Sequence, residues 1–285
     1  MLTHGERRPL ARVVVLGGSG FVGRSLLSHL DTKGIATLAL TSRDLDLTGA
    51  AAGRLLAPHL RPGDALVFAA ALTPDKGKDI ATLMKNLAMG EQVSAALAAA
   101  PCAHVVYISS DAVYADDADP VNEASCTNPS SYHGLMHLVR ERMLAMTLGS
   151  GTPLAIVRPS LLYGSGDTHN GYGPNRFLRT ARADRTIALV GRGEERRDHV
   201  FIDDLSRLIA LVLTNRSAGA LNVATGTSRS FGDVAERVAA LVPGTRVESM
   251  PRSGAVTHRS FDVAAVDAAF PGFRFATLEE GLARA

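Results

Sequence analysis

The sequence predicts an α/β fold: a doubly wound parallel sheet followed by a smaller C-terminal lobe. Three observations predict it. Short apolar, β-branched runs alternate with amphipathic helical stretches through the first 160 residues, the rhythm of strand–helix–strand units. A glycine cluster follows the first run. After Pro159 the alternation gives way to YGSGDTHNGYGPNR, a polar stretch longer than a simple connection needs.

Residues 12–17, RVVVLG, form a β-branched run stopped by glycine, and Phe21 to Leu30 carries apolar residues at helical spacing. That reads as strand, tight turn, helix. Further strands are expected at Ile35–Leu40, Ala65–Ala71, His104–Ser109 and Leu154–Val157, with helices near 48–58, 79–100 and 131–148. Beyond the polar loop the pattern predicts a helix at 175–183, a strand at 187–190, a helix at Asp204–Leu213, a strand at Ala220–Val223 and a helix at Phe231–Leu241.

A chain of 285 residues at 46% hydrophobic and 20% charged is long enough to bury a sizeable core, which excludes a disulfide-stapled mini-protein. Net charge is +2, so no charge asymmetry points to nucleic acid or an anionic membrane as partner. Four lysines stand against 26 arginines. Cys102 and Cys126 belong to no C-x-x-C pair and read as free thiols of a reducing compartment. The opening MLTHGERRPL has no apolar stretch, and no later run approaches a membrane span, so a cytoplasmic protein is expected.

Gly17-Gly18-Ser19-Gly20-Phe21-Val22-Gly23 gives G-x-x-G-x-x-G at the junction of the first strand and helix. Glycines there permit positive φ and close backbone approach, while a helix N-terminus offers unpaired N–H groups to a pyrophosphate. A Rossmann-type dinucleotide-binding domain is therefore expected over 1–160. Residues 161–285 would then be mainly a substrate-binding lobe, with some segments returning to the first domain. The second strand ends in Thr41-Ser42-Arg43-Asp44-Leu45-Asp46. An arginine at that tip suits the 2′-phosphate of NADP and a carboxylate suits the NAD ribose; Arg43 tips the expectation to NADP, with Asp44 keeping NAD open.

These residues resemble the extended short-chain dehydrogenase/reductase family, in its nucleotide-sugar epimerase and dehydratase branch. The resemblance runs in order through Gly17–Gly23, Asp46-Leu47-Thr48, Ala69-Ala70-Ala71, Asn86, Ser109-Ser110-Asp111-Ala112-Val113-Tyr114, Tyr132 and Arg158-Pro159-x-x-x-Tyr163-Gly164. It continues through Arg197-Asp198-His199-Val200-Phe201-Ile202-Asp203-Asp204 and Leu278-Glu279-Glu280-Gly281-Leu282. It implies that Gly17, Gly20, Phe21, Val22, Gly23, Arg43, Asp46, Leu47, Ala69, Ala70, Ala71, Asn86, Tyr132 and Pro159 hold the dinucleotide. It further implies that Ser110 hydrogen-bonds the reacting sugar oxygen and Tyr132 exchanges a proton with it, since hydride transfer at a carbinol carbon requires a proton moved at its oxygen.

One position departs from the family's Tyr-x-x-x-Lys: here the run is Tyr132-His133-Gly134-Leu135-Met136. A lysine one turn after the tyrosine shares its face, where its ammonium favours the ionised phenol and binds the nicotinamide ribose. Methionine does neither. Three readings survive: an epimerase or dehydratase in which oxidised nicotinamide supplies the charge, an NADPH-dependent reductase of a 4-keto nucleotide sugar in which Tyr132 only donates, or a dinucleotide-binding regulatory protein without catalysis. Sugar-nucleotide 4,6-dehydratases carry an Asp-Glu pair after the catalytic hydroxyl. Here Asp111-Ala112 keeps the acid and lacks the base, which disfavours an ordinary 4,6-dehydratase.

His133, His137 and Glu141 share a helix face, but without further ligands they read as a polar face and no metal site is expected. On the substrate side, the resemblance implies a nucleotide-diphosphate sugar between the lobes, with Arg197 and Arg252 on the diphosphate and Asn175 contacting phosphate or ribose. Guanidinium forks suit such oxygens. The loop Asp167–Arg176, with His169, Asn170 and Tyr172, reads either as a sugar pocket or as a solvated loop. A homodimer is the expected assembly.

Overall fold

The apolar runs of the first half become one parallel sheet. In the computed structural model, which describes residues 2–7 and 9–285, the chain forms β1 (Arg12–Leu16), α1 (Phe21–Thr32), β2 (Thr37–Leu40), α2 (Ala52–Leu56), β3 (Asp64–Phe68), α3 (Ile80–Ala99), β4 (His104–Ile108), α4 (Tyr132–Leu148) and β5 (Leu154–Pro159). Strands β3 and β4 are buried at every residue, as expected where helices cover both faces of a parallel sheet. Along β1, Val13 and Val15 enter the core on one face while Val14 and Leu16 enter that on the other, the two-residue period of a strand. Asp79 caps α3 by accepting from the Thr82 N–H, and Ser131 caps α4 by accepting from the Gly134 N–H; each cap satisfies an otherwise unpaired donor.

Most boundaries shift by a residue or two, and two differences bear on the site. The helix expected at 48–58 is only α2 plus a 3₁₀ turn at Ala57–His59, where Pro58 has no N–H with which to extend an α-helix. The third strand stops at Phe68, so Ala69–Ala71 leave the sheet as a loop.

The second half adds β6 (Leu161–Tyr163), α5 (Pro174–Asp184), β7 (Thr186–Val190), β8 (Arg196–Arg197), β9 (His199–Phe201), α6 (Ile202–Thr214), β10 (Gly219–Val223), β11 (Arg229–Ser230), α7 (Phe231–Leu241), β12 (Arg246–Met250), α8 (Ala264–Ala269) and α9 (Leu278–Leu282). The main sheet has six parallel strands in the order β10-β5-β4-β3-β1-β2. Its order reverses beside β1, and the crevice between the C-terminal ends of β1 and β3 is where such sheets bind ligands. Strand β10 pairs Gly219–Val223 with Ala155–Pro159, so a segment distant in sequence completes the sheet. Helix α6 packs on α1, with the Ser25 and Ser206 hydroxyls 2.8 Å apart. Strand β12, which pairs in parallel with β7, was not anticipated because all five of its residues are exposed and leave no hydrophobic pattern. No helix among the described residues is long and apolar enough to cross a membrane.

Candidate active site

The glycine turn is shaped by close contacts. Gly17 has φ +89°, and a Cβ there would lie 2.8 Å from the Ala70 N and Cα; one on Gly23 would lie 2.2 Å from the Gly17 carbonyl oxygen. Only glycine allows this approach. Gly20 caps α1 with no side-chain hydrogen bond, so the opening N–H groups around Phe21 and Val22 have no side-chain acceptor. The cradle and its donors fit a dinucleotide pyrophosphate.

Opposite this turn, Ala69–Ala71 are held from below. Arg140 is fully buried and donates from Nη1 to the Ala70 carbonyl at 2.9 Å, from Nε to the Asn86 carbonyl at 2.8 Å and from Nη2 to Asn86 Oδ1 at 3.1 Å. Asn86 Nδ2 donates to the Leu72 and Thr82 carbonyls, and its Oδ1 also accepts from the Leu72 N–H. The amide expected to touch the cofactor is thus engaged with protein, and Asn86 instead fixes the position of the wall. At the tip of β2, the Asp44 carboxylate accepts from the Thr41 N–H at 2.9 Å and its hydroxyl at 2.7 Å, bonds that hold its pKa below the usual carboxylate range. Asp46 closes a similar local turn on Thr48, and Leu47 is buried. Pro159 ends β5, buried opposite Val223.

The turn that follows Ser110 packs on the start of α4. Ser110 Oγ accepts from the Ala112 N–H at 3.1 Å and donates to Asp111 Oδ1 at 3.3 Å, capping a 3₁₀ turn at Asp111–Val113. Gly134 brings α4 onto that turn: a Cβ there would lie 2.0 Å from the Ala112 carbonyl oxygen. Tyr132, 43% exposed, lines a cavity of ≈ 700 Å³ together with His133 and residues between Leu72 and Asn86. Burial pushes the Asp111 carboxyl up, opposed by Arg259 and Ser110. Arg259 donates to the Asp111 carbonyl at 3.0 Å and the Ala115 carbonyl at 2.9 Å, with its Nη1 3.7 Å from Asp111 Oδ2.

Below Tyr132 the helix face is occupied. Met136 is buried, its Sδ 4.0 Å from the Tyr107 hydroxyl. His137 Nδ1 lies 2.7 Å from the same hydroxyl, and the His133 and His137 rings meet edge-on at 4.6 Å. Burial and Arg140 pull His133 down to about 4, which makes it a neutral ring at pH 7. Glu141 turns away to pair with Arg158 at 2.6 Å and accept from Ser109 at 2.5 Å, so the three residues do not converge on one point.

In the second half of the chain, Arg197 is half-buried and donates to the Thr257 carbonyl at 2.7 Å and its hydroxyl at 2.8 Å. Arg252 is held by acids: Nη2 lies 2.7 Å from Glu194 Oε2 and 2.9 Å from Glu195 Oε2, and Nη1 contacts Glu195 Oε1. Asn175 Oδ1 accepts from the Gly164 N–H at 2.9 Å. The polar loop is largely tied down. His169 Nδ1 sits 3.0 Å from Thr73 Oγ1 and 2.9 Å from Asp75 Oδ1 and packs edge-on to Phe21, beside the glycine turn. Asn170 accepts from Arg179, and Tyr172 accepts from the Val190 N–H while packing edge-on to Phe177 and Phe231.

Gly134 and Arg259 were missed from the sequence. The first had a signal, a glycine inside the first turn of a predicted helix. The second lies among 26 arginines with nothing to mark it.

The model of the NAD dependent epimerase/dehydratase family matches residues 13–224. The chain is 32% identical over 143 residues to a dTDP-L-rhamnose 4-epimerase of Burkholderia thailandensis, a stretch covering 47% of this chain and 39% of that protein. It is 29% identical over 226 residues to a dTDP-4-dehydrorhamnose reductase of Streptomyces griseus, covering 77% and 72% respectively. The chain thus spans less than half the length of the first of these relatives. Its fold superposes on MoeE5, solved with UDP-glucose and NAD, at TM-score 0.82 and 26% identity over 96% of both chains.

Proposed function

The chain belongs to the NAD dependent epimerase/dehydratase family, and from that premise we propose that it oxidises a hydroxyl of a nucleotide-diphosphate sugar, epimerises or eliminates beside it, and returns the hydride. The observation that supports this reading is the contact of Gly134 with the Ala112 carbonyl, which packs the first turn of α4, where Tyr132 lies, on the turn that follows Ser110. MoeE5, with its bound UDP-glucose and NAD, supports the ligand classes.

In this reading Gly17–Gly23 and Ala69–Ala71 would hold NAD(P), which when bound would supply the acceptor and donor of the hydride. Tyr132 exchanges a proton with the reacting oxygen, and Ser110 hydrogen-bonds that oxygen. Asp111, whose burial favours the protonated carboxyl, serves as acid if water is eliminated; Ala112 offers no base. Arg197 binds the diphosphate. Residues 161–285 act mainly as the substrate lobe, with α6 and β10 belonging to the first domain. The Arg43 guanidinium makes no hydrogen bond among the described residues and feels only the charge of Asp44, whose carboxylate is bonded to Thr41, a combination that favours NADP over NAD. Ile80, Met84, Leu135 and Met146 are exposed along α3 and α4 and form the face on which a second copy would pack.

A second reading, reduction of a 4-keto nucleotide sugar by NADPH, is favoured by Met136, because a neutral phenol suffices when Tyr132 only donates. Native mass spectrometry for retained dinucleotide, followed by a panel of nucleotide sugars, tests both. Turnover without net change in reduced nicotinamide supports the first reading, and net NADPH consumption with a keto sugar supports the second. A protein that binds no dinucleotide in calorimetry overturns both.

A further inference from the structure

The family's lysine position is filled by a buried methionine that carries no charge to Tyr132, so any cation serving the phenol must come from elsewhere. The neighbouring candidates can be eliminated in turn. Arg140 lies further along the same helix face, but it is fully buried and its donors are engaged by Ala70 and Asn86. His133 is neutral at pH 7. His137 is buried and bonded to Tyr107. Arg259 is tied to the turn at Asp111 and Ala115 and does not line the cavity that Tyr132 lines.

Lys78 does line it. Its ammonium is exposed and has no hydrogen bond or ion pair among the described residues. The one carboxylate on the same cavity wall, Asp79, is occupied as the cap of α3, accepting from the Thr82 N–H at 2.8 Å and its hydroxyl at 2.7 Å. The other nearby acid, Asp75, is taken by Thr73 and His169. Gly77 holds the loop in place. Its φ is +154°, and a Cβ there would lie 2.0 Å from Thr82 Oγ1, so the chain passes against α3 just before Lys78. Lysine is also scarce, with four against 26 arginines, yet Lys76, Lys78 and Lys85 cluster within ten residues of this cavity's edge. A flexible four-carbon stem carrying a compact charge suits a cation that must reach across a cavity.

Resting on the function proposed above, we propose that Lys78, from the loop before α3, replaces the family's helix lysine, binding the nicotinamide ribose and stabilising the phenolate of Tyr132 from across the cavity. Lys78 lines the same cavity as Tyr132, while Met136 fills the helix position without a charge. The charged and titratable groups that share the cavity with Tyr132 are Lys78, Asp79 and His133.

The test uses the full chain and NADPH or NADH fluorescence titration alongside turnover. Lys78 is exposed, so its variants should fold normally. Lys78→Met should weaken the reduced cofactor by ~10-fold, the scale of one charged hydrogen bond, and lower kcat. Lys78→Arg should restore most of both. So should the double variant Lys78→Met/Met136→Lys, which returns the cation to the helix. A Lys78→Met protein that matches wild type in affinity and turnover overturns the inference alone, and so does a loss that neither restoring variant repairs. Wild-type protein that binds no dinucleotide overturns the inference together with the proposed function.

Discussion

At the glycine turn the proposed ligand-binding groups are backbone N–H groups, whereas in the second half of the chain they are arginine side chains, and the two regions differ in what their neighbours decide. The turn is fixed by contacts no rotamer can relieve, such as Gly17 against Ala70 and Gly23 against Gly17. An arginine is free to pair with whatever acid the fold brings near, as Arg252 does with Glu194 and Glu195. Backbone-built sites are therefore written locally, and side-chain-built sites are settled by tertiary partners.

The largest expected effect lies in the first region. Gly23→Ala places a methyl 2.2 Å from the Gly17 oxygen and 2.9 Å from the Gly18 Cα, so the turn must open and dinucleotide binding should be lost in calorimetry. Gly63→Ala is the control, since its Cβ would meet only Ala11 at 3.6 Å. Undiminished binding by Gly23→Ala would break the comparison, because the backbone would then not be what holds the pyrophosphate.

Between the two regions sits Tyr132, whose effect should come next. Tyr132→Phe should cost at least ~10²-fold in turnover, the lower end for a positioned acid or base, with Ser110→Ala costing less. The hydroxyl makes no hydrogen bond to protein among the described residues, so thermal stability should not follow the loss. Near-full activity in Tyr132→Phe would move the proton-transfer role to Asp111, the neighbouring group whose burial favours a held proton.

The same contrast explains what could be read before the fold was known. The strand and helix centres of the first half follow from hydrophobic period alone, because a sheet covered on both faces needs continuous apolar runs. The glycine turn is legible as a short-range pattern, and Tyr132 and Ser110 are singled out by the family resemblance. The state of Asn86, Arg252, Asn175 and His169 is not legible, since each is fixed by a partner at least 11 residues away, from Gly164 for Asn175 to His169's hold on Thr73. Strand β12 was invisible for a related reason: it pairs with β7 through backbone bonds while its side chains stay in solvent.

Arg43 offers a finer test, as a side chain on the cofactor half that makes no ion pair among the described residues and has only the charge of Asp44 beside it. Arg43→Ala should weaken NADP(H) ~10-fold more than NAD(H), the worth of one charge-assisted contact to a phosphate. Equal losses would show that this arginine does not read the 2′-phosphate, and that the preference, if any, lies in the backbone of the Thr41–Asp46 turn.

The smallest effect is expected at Arg252, and its smallness is the point. A diphosphate that reaches this guanidinium must displace two carboxylates already within hydrogen-bond distance, so the net gain from binding is the difference between two charge-assisted pairings. Among the described residues Arg197 hydrogen-bonds only Thr257 and the Arg196 carbonyl, with Glu195, Asp111 and Asp116 acting on it through charge alone. Nucleotide-sugar affinity, measured by calorimetry, should therefore fall at least ~10-fold in Arg197→Ala, as for loss of a charged hydrogen bond, but only about threefold or less in Arg252→Ala. Removing the competing charge works in the other direction. Glu195→Gln should tighten binding, because a freed guanidinium meets the diphosphate without first breaking an ion pair. If Arg252→Ala instead costs as much as Arg197→Ala, the acids swing away when substrate arrives, and the pairing seen here is a resting state that ligand opens. Glu195→Gln would then leave affinity unchanged, which separates that outcome from the one expected.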